Sequence, residues 1–383
     1  MAKLSVDQAL LKAKSHVKKG KIQEAQELYE AVLQAFPKNK RAQQGLAALN
    51  KSNQPNATQS PPQETINQLI DLYNQGQLAA VVEQAQALKR QYPNELIIWN
   101  ILGAAAAQTG QIDEAINAFK RVTAIKPDYA DAYYNMGVVL KDQGKLEEAI
   151  EAYNKALSLK PDYETASHIL SSLTGKTTKS APREYVENMF DRYAYKFDQS
   201  LVVKLSYDIP KVITQLAVEK HGGGSFGSIL DLGCGTGLTG EKIRPHCTNL
   251  EGIDLSKKML EIAKSRNVYD KLDHVDIVGY LSNAMLDFDY FIATDVFIYV
   301  GDLSEVFRLI KARNKKPGKL IFSTEHTNGK GFHLEKSGRY SHSMSYIEEL
   351  CREFKFSISH FSETNLRKEK GSFLIGGLYF LDF

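Results

Sequence analysis

The sequence has few cysteines and forms no cysteine-rich motif. Its 383 residues include only Cys234, Cys247 and Cys351. Their spacing contains no CxxC pair and no Cys/His metal pattern, and three cysteines are too few for a disulfide framework. These features exclude a disulfide-stabilised secreted domain and a zinc module of ordinary spacing. We expect no metal site and a reducing compartment, the cytoplasm.

Long apolar segments and targeting signals are also lacking. No run approaches the roughly 18 apolar residues of a transmembrane helix. The first 20 residues contain neither a long apolar core nor a small-residue cleavage site. We therefore expect no membrane span and no signal peptide.

The charge is almost balanced. The 48 Lys and Arg residues against 45 Asp and Glu residues leave a net charge of +3. Nucleic acids and anionic membranes need clustered basic surface, so neither is expected as the main partner. The metalloprotease motif HExxH is absent as well. The length predicts two or three domains.

What the first half does contain is a repeat with a period of 34 residues. Glycines, prolines and small or aromatic residues recur at this spacing: Gly76, Gly110 and Gly144; Pro93, Pro127 and Pro161; Val81, Ala115 and Ala149; Trp99 and Tyr133; Gly103 and Gly137; Phe119 and Tyr153. Such self-similarity indicates a helical repeat array. The units, at about 62–95, 96–129 and 130–163, resemble tetratricopeptide repeats. Solenoids expose an extended groove, so we expect a protein partner there, although each aromatic residue is also explained by ordinary packing.

The repeats and the polar stretches between them set the predicted domain boundaries. A weaker copy of the template, including Gly20, Ala25 and Tyr29, predicts an N-terminal helical hairpin plus a helix over 1–49. Residues 50–62 are polar and contain proline, which is typical of a linker. The repeats with a capping helix then fill 63–173. A second polar linker spans 174–182, and an α/β domain fills 183–383.

The second half alternates short apolar runs with helix-like stretches. The runs include SILDL, NLEGIDL, HVDIV, DYFIATDVFIYV and KLIFSTE, and the clearest helices fall at 257–265 and 303–313. Alternation of this kind indicates a mainly parallel sheet covered by helices. The last two runs, FKFSISH and SFLIGGLYFLDF, have only a loop between them, so we expect them to pair antiparallel.

One apolar run ends in a glycine-rich turn, DLGCGTG at 231–237. Ligands bind at such strand ends in doubly wound sheets, where glycine lets them approach the backbone. Residues 235–240 also match GxGxxG, the dinucleotide fingerprint, so a dinucleotide oxidoreductase is one interpretation. The acid two residues before Gly233 and the early end of the strand favour a different ligand.

DLGCGTG resembles motif I of the class I S-adenosylmethionine-dependent methyltransferases. The resemblance implies a Rossmann-like domain with a seven-stranded, mainly parallel sheet, and it implies S-adenosylmethionine as the cofactor. The cofactor contacts it implies here are Asp231, Gly233, Gly235 and Gly237. S-adenosylmethionine carries an ammonium and a sulfonium but no phosphate, so a carboxylate at this position attracts it and repels a pyrophosphate.

The following strand ends supply further acids. Asp254 lies 17 residues after Gly237, close to the distance expected of an acid that binds ribose hydroxyls; with it we assign Leu255. The resemblance implies Asp276 and Ile277 as contacts of the adenine amino group and ring. Flanking a helix cap explains Asp254 equally well, and a surface turn explains Asp276.

Further candidate residues lie nearer the predicted acceptor. Asp295 follows the fourth strand, where the methyl group should point. His326 and His342 have the ordinary pKa range of a general base, and a base is needed only if the acceptor must lose a proton. Arg339 could hold an anionic substrate group, and Glu325 could face either ligand or flank its strand. Tyr193, in the helix before the domain, could close over the cofactor or merely pack.

Further segments resemble predicted methyltransferases that carry tetratricopeptide repeats, over nearly the whole chain from about residue 65. They are MFDRYAYKFD at 189–198, ATDVFIYVGDL, FSTEH, SGRYSHS and LRKEKGSFLIGGLYF. The resemblance implies transfer of a methyl group from S-adenosylmethionine to an unidentified small molecule or protein. Two alternatives stay open: an adaptor with a cofactor-sensing or inactive α/β domain, and an NAD(P)-dependent oxidoreductase.

Overall fold

Two units make up the chain, Met1–Leu159 and Lys160–Phe383, in a computed structural model that describes residues 5–18, 21–53, 60–369 and 371–383. The first unit is helical throughout its described residues. Its helices are α1 (Val6–Lys18), α2 (Ile22–Ala35), α3 (Lys40–Asn53), α4 (Gln63–Asn74), α5 (Leu78–Gln91), α6 (Leu96–Gln108), α7 (Ile112–Ile125), α8 (Ala130–Asp142) and α9 (Leu146–Leu159).

The 34-residue period corresponds to the helix pairs α4/α5, α6/α7 and α8/α9. Gly110 adopts a φ of +77° in the turn between α6 and α7, a conformation that costs glycine little. Gly103 lets α6 approach α7 closely, since an added Cβ would lie 2.8 Å from the ring of Phe119. The small and aromatic residues of the repeat are therefore its packing contacts.

The N-terminal copy is a hairpin of α1 and α2 followed by α3. Tyr29 is buried and fills the space beside Gly45, where an added Cβ would meet its ring at 2.4 Å. Gly20 lies outside the described residues. Helix α3 continues to Asn53, into the segment predicted as a linker, and residues 54–59 of that segment lie outside the described residues.

The second unit is α/β. Its helices are α10 (Glu164–Thr174), α11 (Arg183–Asp198), α12 (Ile209–His221), α13 (Leu238–Ile243), α14 (Lys257–Ser265), α15 (Ile277–Asn283), α16 (Ser304–Arg313) and α17 (Met344–Phe354). Its strands are β1 (Ser228–Leu232), β2 (Asn249–Asp254), β3 (Lys271–His274), β4 (Tyr290–Ala293), β5 (Lys319–His326), β6 (Phe332–Leu334), β7 (Tyr340–His342), β8 (Ser357–Glu369) and β9 (Ser372–Asp382).

These strands form one sheet with the path β3-β2-β1-β4-β5-β7-β6, and β9 pairs with both β5 and β8. Strands β1 to β5 are mutually parallel along that path. The order in which successive strands are added to the sheet reverses at β1, because β2 lies on one side of it and β4 on the other. A switch point of this kind opens a crevice at the carboxyl ends of the strands.

Alternate side chains of the sheet enter two cores. On β1, Ile229 packs on one face with α12 and α13 residues such as Ile213 and Ile243. Leu230 packs on the other face with residues of α16 and α17. Both strand faces are buried, which is why the parallel strands are apolar runs.

The antiparallel end of the sheet agrees with the expectation for the last two apolar runs, because β8 and β9 form a hairpin and β9 lies antiparallel to β5. The family resemblance implies seven strands, whereas nine are present in the described residues. The short hairpin of β6 and β7 accounts for the difference. The third strand also ends earlier than HVDIV suggested, since Ile277 already begins α15.

The segment predicted as the second linker is bound to the α/β unit. Ala181 N donates to the carbonyl oxygen of Tyr299 at 3.0 Å, and the Thr178 and Tyr340 hydroxyls lie 2.5 Å apart. Helix α10, assigned from sequence to the repeats, falls within the second unit, where His168 Nε2 lies 3.0 Å from the carbonyl oxygen of Gly338. Within the described ranges, no helix combines the length and the apolarity needed to span a bilayer.

The close approach of α6 and α7 generates a stability prediction. Gly103→Val should lower the free energy of unfolding of the repeats by about 2 kcal/mol, because a branched side chain overpacks against Phe119. Trp99, the single tryptophan, lies on α6 and reports the transition by fluorescence in urea. The matched control, Ala104→Val on the same helix, should change it by only about 0.5 kcal/mol. Equal losses for the two variants would contradict the packing role of Gly103.

Candidate active site

A cavity of about 340 Å³ lies at the carboxyl ends of β1 to β4. The turns after these strands supply much of its lining, and α11 contributes Arg183, Val186, Phe190 and Phe197. Leu201 and Tyr207 line it from the segment between α11 and α12, and Pro210 lines it from the first turn of α12. Its size is within the range of small-molecule and cofactor sites, about 300–1,000 Å³.

The turn after β1 is built from glycines in left-handed conformations. Gly233, Gly235 and Gly237 have φ values of +70°, +55° and +88°. An added Cβ on Gly233 would lie 2.6 Å from Val296, so a side chain is excluded there on space as well as on conformation. Gly233 and Gly235 line the cavity. At Gly233 and Gly235 the turn therefore exposes backbone, rather than side chains, to a ligand.

Asp231, on β1 behind this turn, is a buried carboxylate. It is 1% exposed, and its Oδ2 accepts a hydrogen bond of 2.7 Å from the Tyr269 hydroxyl. Its Oδ1 is buried and has no hydrogen-bond partner among the described residues. Burial raises the pKa of Asp231 to about 7. The ionised carboxylate therefore has too few hydrogen bonds to replace the water it has lost, and a nearby positive charge would stabilise it.

Asp254, the last residue of β2, joins two turns. Its Oδ2 accepts from Gly235 N and its Oδ1 from Ser256 N, both at 2.8 Å. Burial raises the pKa of Asp254 to about 6, although these backbone hydrogen bonds lower it. Asp254 and Leu255 both line the cavity. The carboxylate thus organises the turn and still borders the ligand space, so its flanking and its binding roles are compatible.

Asp276 and Ile277 lie at the β3 end of the cavity and line it. Asp276 caps α15, because its Oδ1 accepts from Gly279 N at 2.7 Å. Its Oδ2 lies 3.5 Å from a guanidinium nitrogen of Arg183. Asp276 therefore lies in a turn and caps a helix, as one interpretation of the sequence holds. It also borders the cavity beside the apolar Ile277.

Asp295 lines the cavity beyond β4. Its backbone is in the left-handed region, with a φ of +55°, which is uncommon outside glycine and frequent at functional sites. Its Oδ2 accepts a 2.6 Å hydrogen bond from Arg367, and its side chain is 11% exposed. Ser323 Oγ donates to the Asp295 Oδ1 at 3.1 Å and accepts from its backbone N at 2.8 Å. The carboxylate is held in one orientation.

Behind Asp295 lies a buried ionic network. Glu325 Oε1 accepts from Arg367 and, at 2.5 Å, from Arg339 Nε, while Arg339 also donates to Glu369 at 2.5 Å. Burial raises the pKa of Glu325, and both guanidinium groups oppose that shift. Burial alone would lower the pKa of Arg367, but the carboxylates of Asp295 and Glu325 raise it above its ordinary value. Each guanidinium group is engaged by carboxylates.

The histidines proposed from sequence lie on paired strands away from the cavity lining. His326 on β5 and His342 on β7 are register partners. The His342 Nε2 lies 3.0 and 2.9 Å from the carbonyl oxygens of Val300 and Gly301, and burial lowers the pKa of His342 to about 4. His326 Nε2 lies 3.8 Å from Glu363. These contacts favour a structural role, whereas Asp295 borders the cavity.

Several lining residues escaped the sequence analysis. Tyr207 and Tyr299 line the end of the cavity near Asp295, and burial raises the pKa of both phenols. On α11, Phe190 and Phe197 line the cavity, and the predicted Tyr193 packs its ring edge-on against Phe197 at 5.7 Å. The resemblance marks the segment 189–198, but the sequence favours Tyr193 there, whereas the phenylalanines line the cavity. Arg367 lies in the segment LRKEKGSFLIGGLYF, which carries the family resemblance, but no nearby residue indicates that it binds Asp295.

Comparison with known proteins matches four segments to family models. A tetratricopeptide repeat matches 130–163 and a TPR repeat matches 103–144, which confirms the repeats. A methyltransferase domain matches 230–320, which includes the turns after β1 to β4. An effector-associated domain 1 matches 21–95 and overlaps the N-terminal hairpin and the first repeat.

Curated relatives match a part of the chain. A ubiquinone biosynthesis O-methyltransferase of Ralstonia nicotianae is 30% identical over 114 residues, which are 29% of this chain and 48% of that protein. The enzyme of the same name from Coxiella burnetii is 28% identical over 107 residues, 27% of this chain and 46% of the relative. The chain thus spans about half the length of these relatives.

Among solved structures, magnesium protoporphyrin IX methyltransferase from Synechocystis PCC 6803 with bound SAH is 14% identical. The match covers 52% of this chain and 98% of that one, with a TM-score of 0.40. The family models agree with the order predicted from sequence, repeats first and the α/β domain second. The chain therefore contains tetratricopeptide repeats followed by a methyltransferase domain.

Proposed function

We propose that the chain is a methyltransferase that uses S-adenosylmethionine, with its cofactor in the cavity at the carboxyl ends of β1 to β4. The observation that carries this proposal is the pairing of a glycine-built turn with buried carboxylates. Asp231 leaves one buried oxygen without a partner among the described residues, and Asp254 borders the cavity one strand away. Such a site suits a cationic ligand better than a pyrophosphate.

The strand order arranges the proposed contacts. Since β3, β2, β1 and β4 are neighbours, the turns carrying Asp276, Asp254, Gly235 and Asp295 follow one another along the sheet edge. We assign the adenine to Asp276 and Ile277, the ribose hydroxyls to Asp254 with Leu255 beside them, and the aminoacyl end to the glycine turn. The sulfonium, which joins the ribose to the aminoacyl chain, then directs its methyl group toward Asp295.

When bound, the cofactor supplies an electrophilic methyl group. The residues of this chain would then align the acceptor with that methyl group, and such alignment accounts for much of the barrier reduction in displacement reactions. Asp295 is the strongest candidate to orient an acceptor hydroxyl or amine, because it borders the cavity and Arg367 fixes its carboxylate. His326, His342 and Arg339 are second-line candidates, since strand pairing or carboxylates already engage them.

Calorimetric titration of the folded chain tests the cofactor. We expect micromolar binding of S-adenosylmethionine and S-adenosylhomocysteine and no binding of NADH. Asp254→Ala should weaken S-adenosylmethionine binding roughly 10- to 100-fold, as expected for loss of a hydrogen bond to a charged group. Asp273→Ala, at a position on β3 that does not line the cavity, serves as the control. Saturable NADH binding would support an oxidoreductase, and an unchanged affinity of a folded Asp254→Ala variant would refute the ribose assignment.

The raised carboxylate pKa values predict a pH dependence. In the free site, Asp231 and Asp254 have pKa values of about 7 and about 6. A cationic ligand binds the ionised carboxylates more tightly than the protonated ones. Its affinity is therefore highest well above pH 7, and it falls as the pH drops through 7 and 6. We expect a loss of roughly tenfold between pH 8 and pH 5.5. Asp231→Asn, which retains an acceptor for Tyr269, should flatten the upper part of the profile. Affinity that stays constant or rises in acid would contradict the electrostatic account.

Transfer itself is tested with methyl-labelled S-adenosylmethionine and cell lysate, fractionated into protein and small molecules. Asp295→Asn should reduce labelling of the wild-type acceptor fraction at least about tenfold while leaving cofactor affinity within about threefold. Label in protein would support recruitment by the repeats, and label in small molecules would assign the acceptor to that class. Cofactor binding without transfer to any fraction would favour a sensing adaptor and overturn the enzymatic proposal.

A further inference from the structure

Helix α11 presents paired residues at a spacing of two helical turns. Asp191 and Asp198 are seven residues apart, and so are Phe190 and Phe197. At about 3.6 residues per turn, each pair lies along one side of the helix. The four residues belong to the segment 189–198, whose purpose the cofactor assignment leaves unexplained.

Asp191 binds the turn after β2. Its Oδ1 accepts a 2.5 Å hydrogen bond from Ser256 Oγ. Ser256 is fully buried and caps α14, because its Oγ accepts from Met259 N at 3.1 Å. The backbone N of the same serine donates to Asp254. Asp191 is therefore linked through Ser256 to Asp254, the proposed ribose-binding carboxylate.

Asp198 binds the glycine turn after β1. Its Oδ1 accepts a 2.5 Å hydrogen bond from the Thr236 hydroxyl, and its Oδ2 pairs with Arg266. Arg266 in turn donates from Nε to the carbonyl oxygen of Thr236 at 2.6 Å. Thr236 is 1% exposed and lines the cavity. Both its side chain and its backbone are thus held, and one of the two attachments comes from α11.

The phenylalanines on the same helix form part of the cavity wall. Phe190 and Phe197 both line the cavity, with ring centroids 6.0 Å apart. Phe190 also meets the Tyr299 ring edge-on at 5.3 Å. Phe190 and Phe197 each precede one of the two aspartates, so α11 covers the ligand space with apolar surface next to both attachments.

We infer that Asp191 and Asp198 are positioning residues that clasp α11 over the bound cofactor and set the rate at which the cofactor leaves. This inference rests on the proposed function, because it takes S-adenosylmethionine as the occupant of the cavity. A ligand beneath Phe190 and Phe197 escapes when α11 lifts, and lifting breaks hydrogen bonds from two hydroxyls to carboxylates. Neither aspartate lines the cavity. Each acts through a turn that borders the ligand space.

The experiment measures dissociation of radiolabelled S-adenosylmethionine after a chase with excess S-adenosylhomocysteine. Asp191→Ala and Asp198→Ala should each accelerate dissociation about five- to tenfold, and the double variant should accelerate it further. Glu184→Ala, which removes an exposed acid from the same helix, is the matched control and should keep the wild-type rate. Thermal unfolding of each variant is recorded in parallel.

A double-mutant cycle separates positioning from general destabilisation. Thr236→Val removes the hydroxyl that donates to Asp198, whereas Thr236→Ser retains it. If the clasp acts through this hydrogen bond, Asp198→Ala should have a smaller effect in the Thr236→Val background than in the Thr236→Ser background.

The possible outcomes distinguish the clasp from the cofactor assignment. Aspartate variants that unfold at lower temperature but release the cofactor at the wild-type rate would reduce both residues to a structural role and overturn the clasp. A wild-type chain that binds no S-adenosylmethionine would instead overturn the proposed function, and the clasp with it. Faster release by folded variants, with Glu184→Ala unchanged, would support the inference.

Discussion

The hydrogen bond from Gly235 N to the Asp254 carboxylate is the interaction on which the site depends. It joins the glycine turn after β1 to the end of β2 at 2.8 Å, and Asp254 uses its other oxygen to order the turn that begins α14. Because the glycines lack side chains, the backbone of one turn and the carboxylate of the other border the same cavity. The roof supplied by α11 attaches to these two turns through Thr236 and Ser256.

The electrostatics follow from the same arrangement. The sheet buries Asp231 and partly buries Asp254 at a switch point in strand order, and their pKa values rise because the ionised forms lose water. Farther along the edge, Asp295 is also shielded from water but has Arg367 as its partner. The carboxylates of Asp231 and Asp254 on β1 and β2 are therefore under-compensated, while the carboxylate of Asp295 is fixed and neutralised. This arrangement suits a cofactor that carries an ammonium and a sulfonium.

Sequence alone predicted the features that local spacing encodes. The 34-residue period located the helix pairs because packing of Gly103 on Phe119 repeats at a constant interval. The motif from Asp231 to Gly237 located the turn after β1, because three left-handed positions within five residues require glycine. Asp254 at the end of β2 and Asp276 after β3 line the cavity, and their roles as cofactor contacts stay predictions.

Features built from distant parts of the chain could not be predicted in this way. Arg367 reaches Asp295 across 72 residues, through a hairpin whose register shifts between Asn365 and Arg367. Asp191 and Asp198 bind hydroxyls 65 and 38 residues away. A serine or threonine in a turn gives no indication of such a partner. The histidines were chosen for their chemistry, and the fold places them among paired strands.

A crystal structure of the chain with S-adenosylhomocysteine tests the central claim most directly. The account predicts ribose hydroxyls on Asp254, adenine against Ile277, sulfur toward Asp295, and α11 closed over the ligand with both aspartates bound to their hydroxyls. Density for the ligand outside this cavity, or with its ribose away from Asp254, would contradict the account.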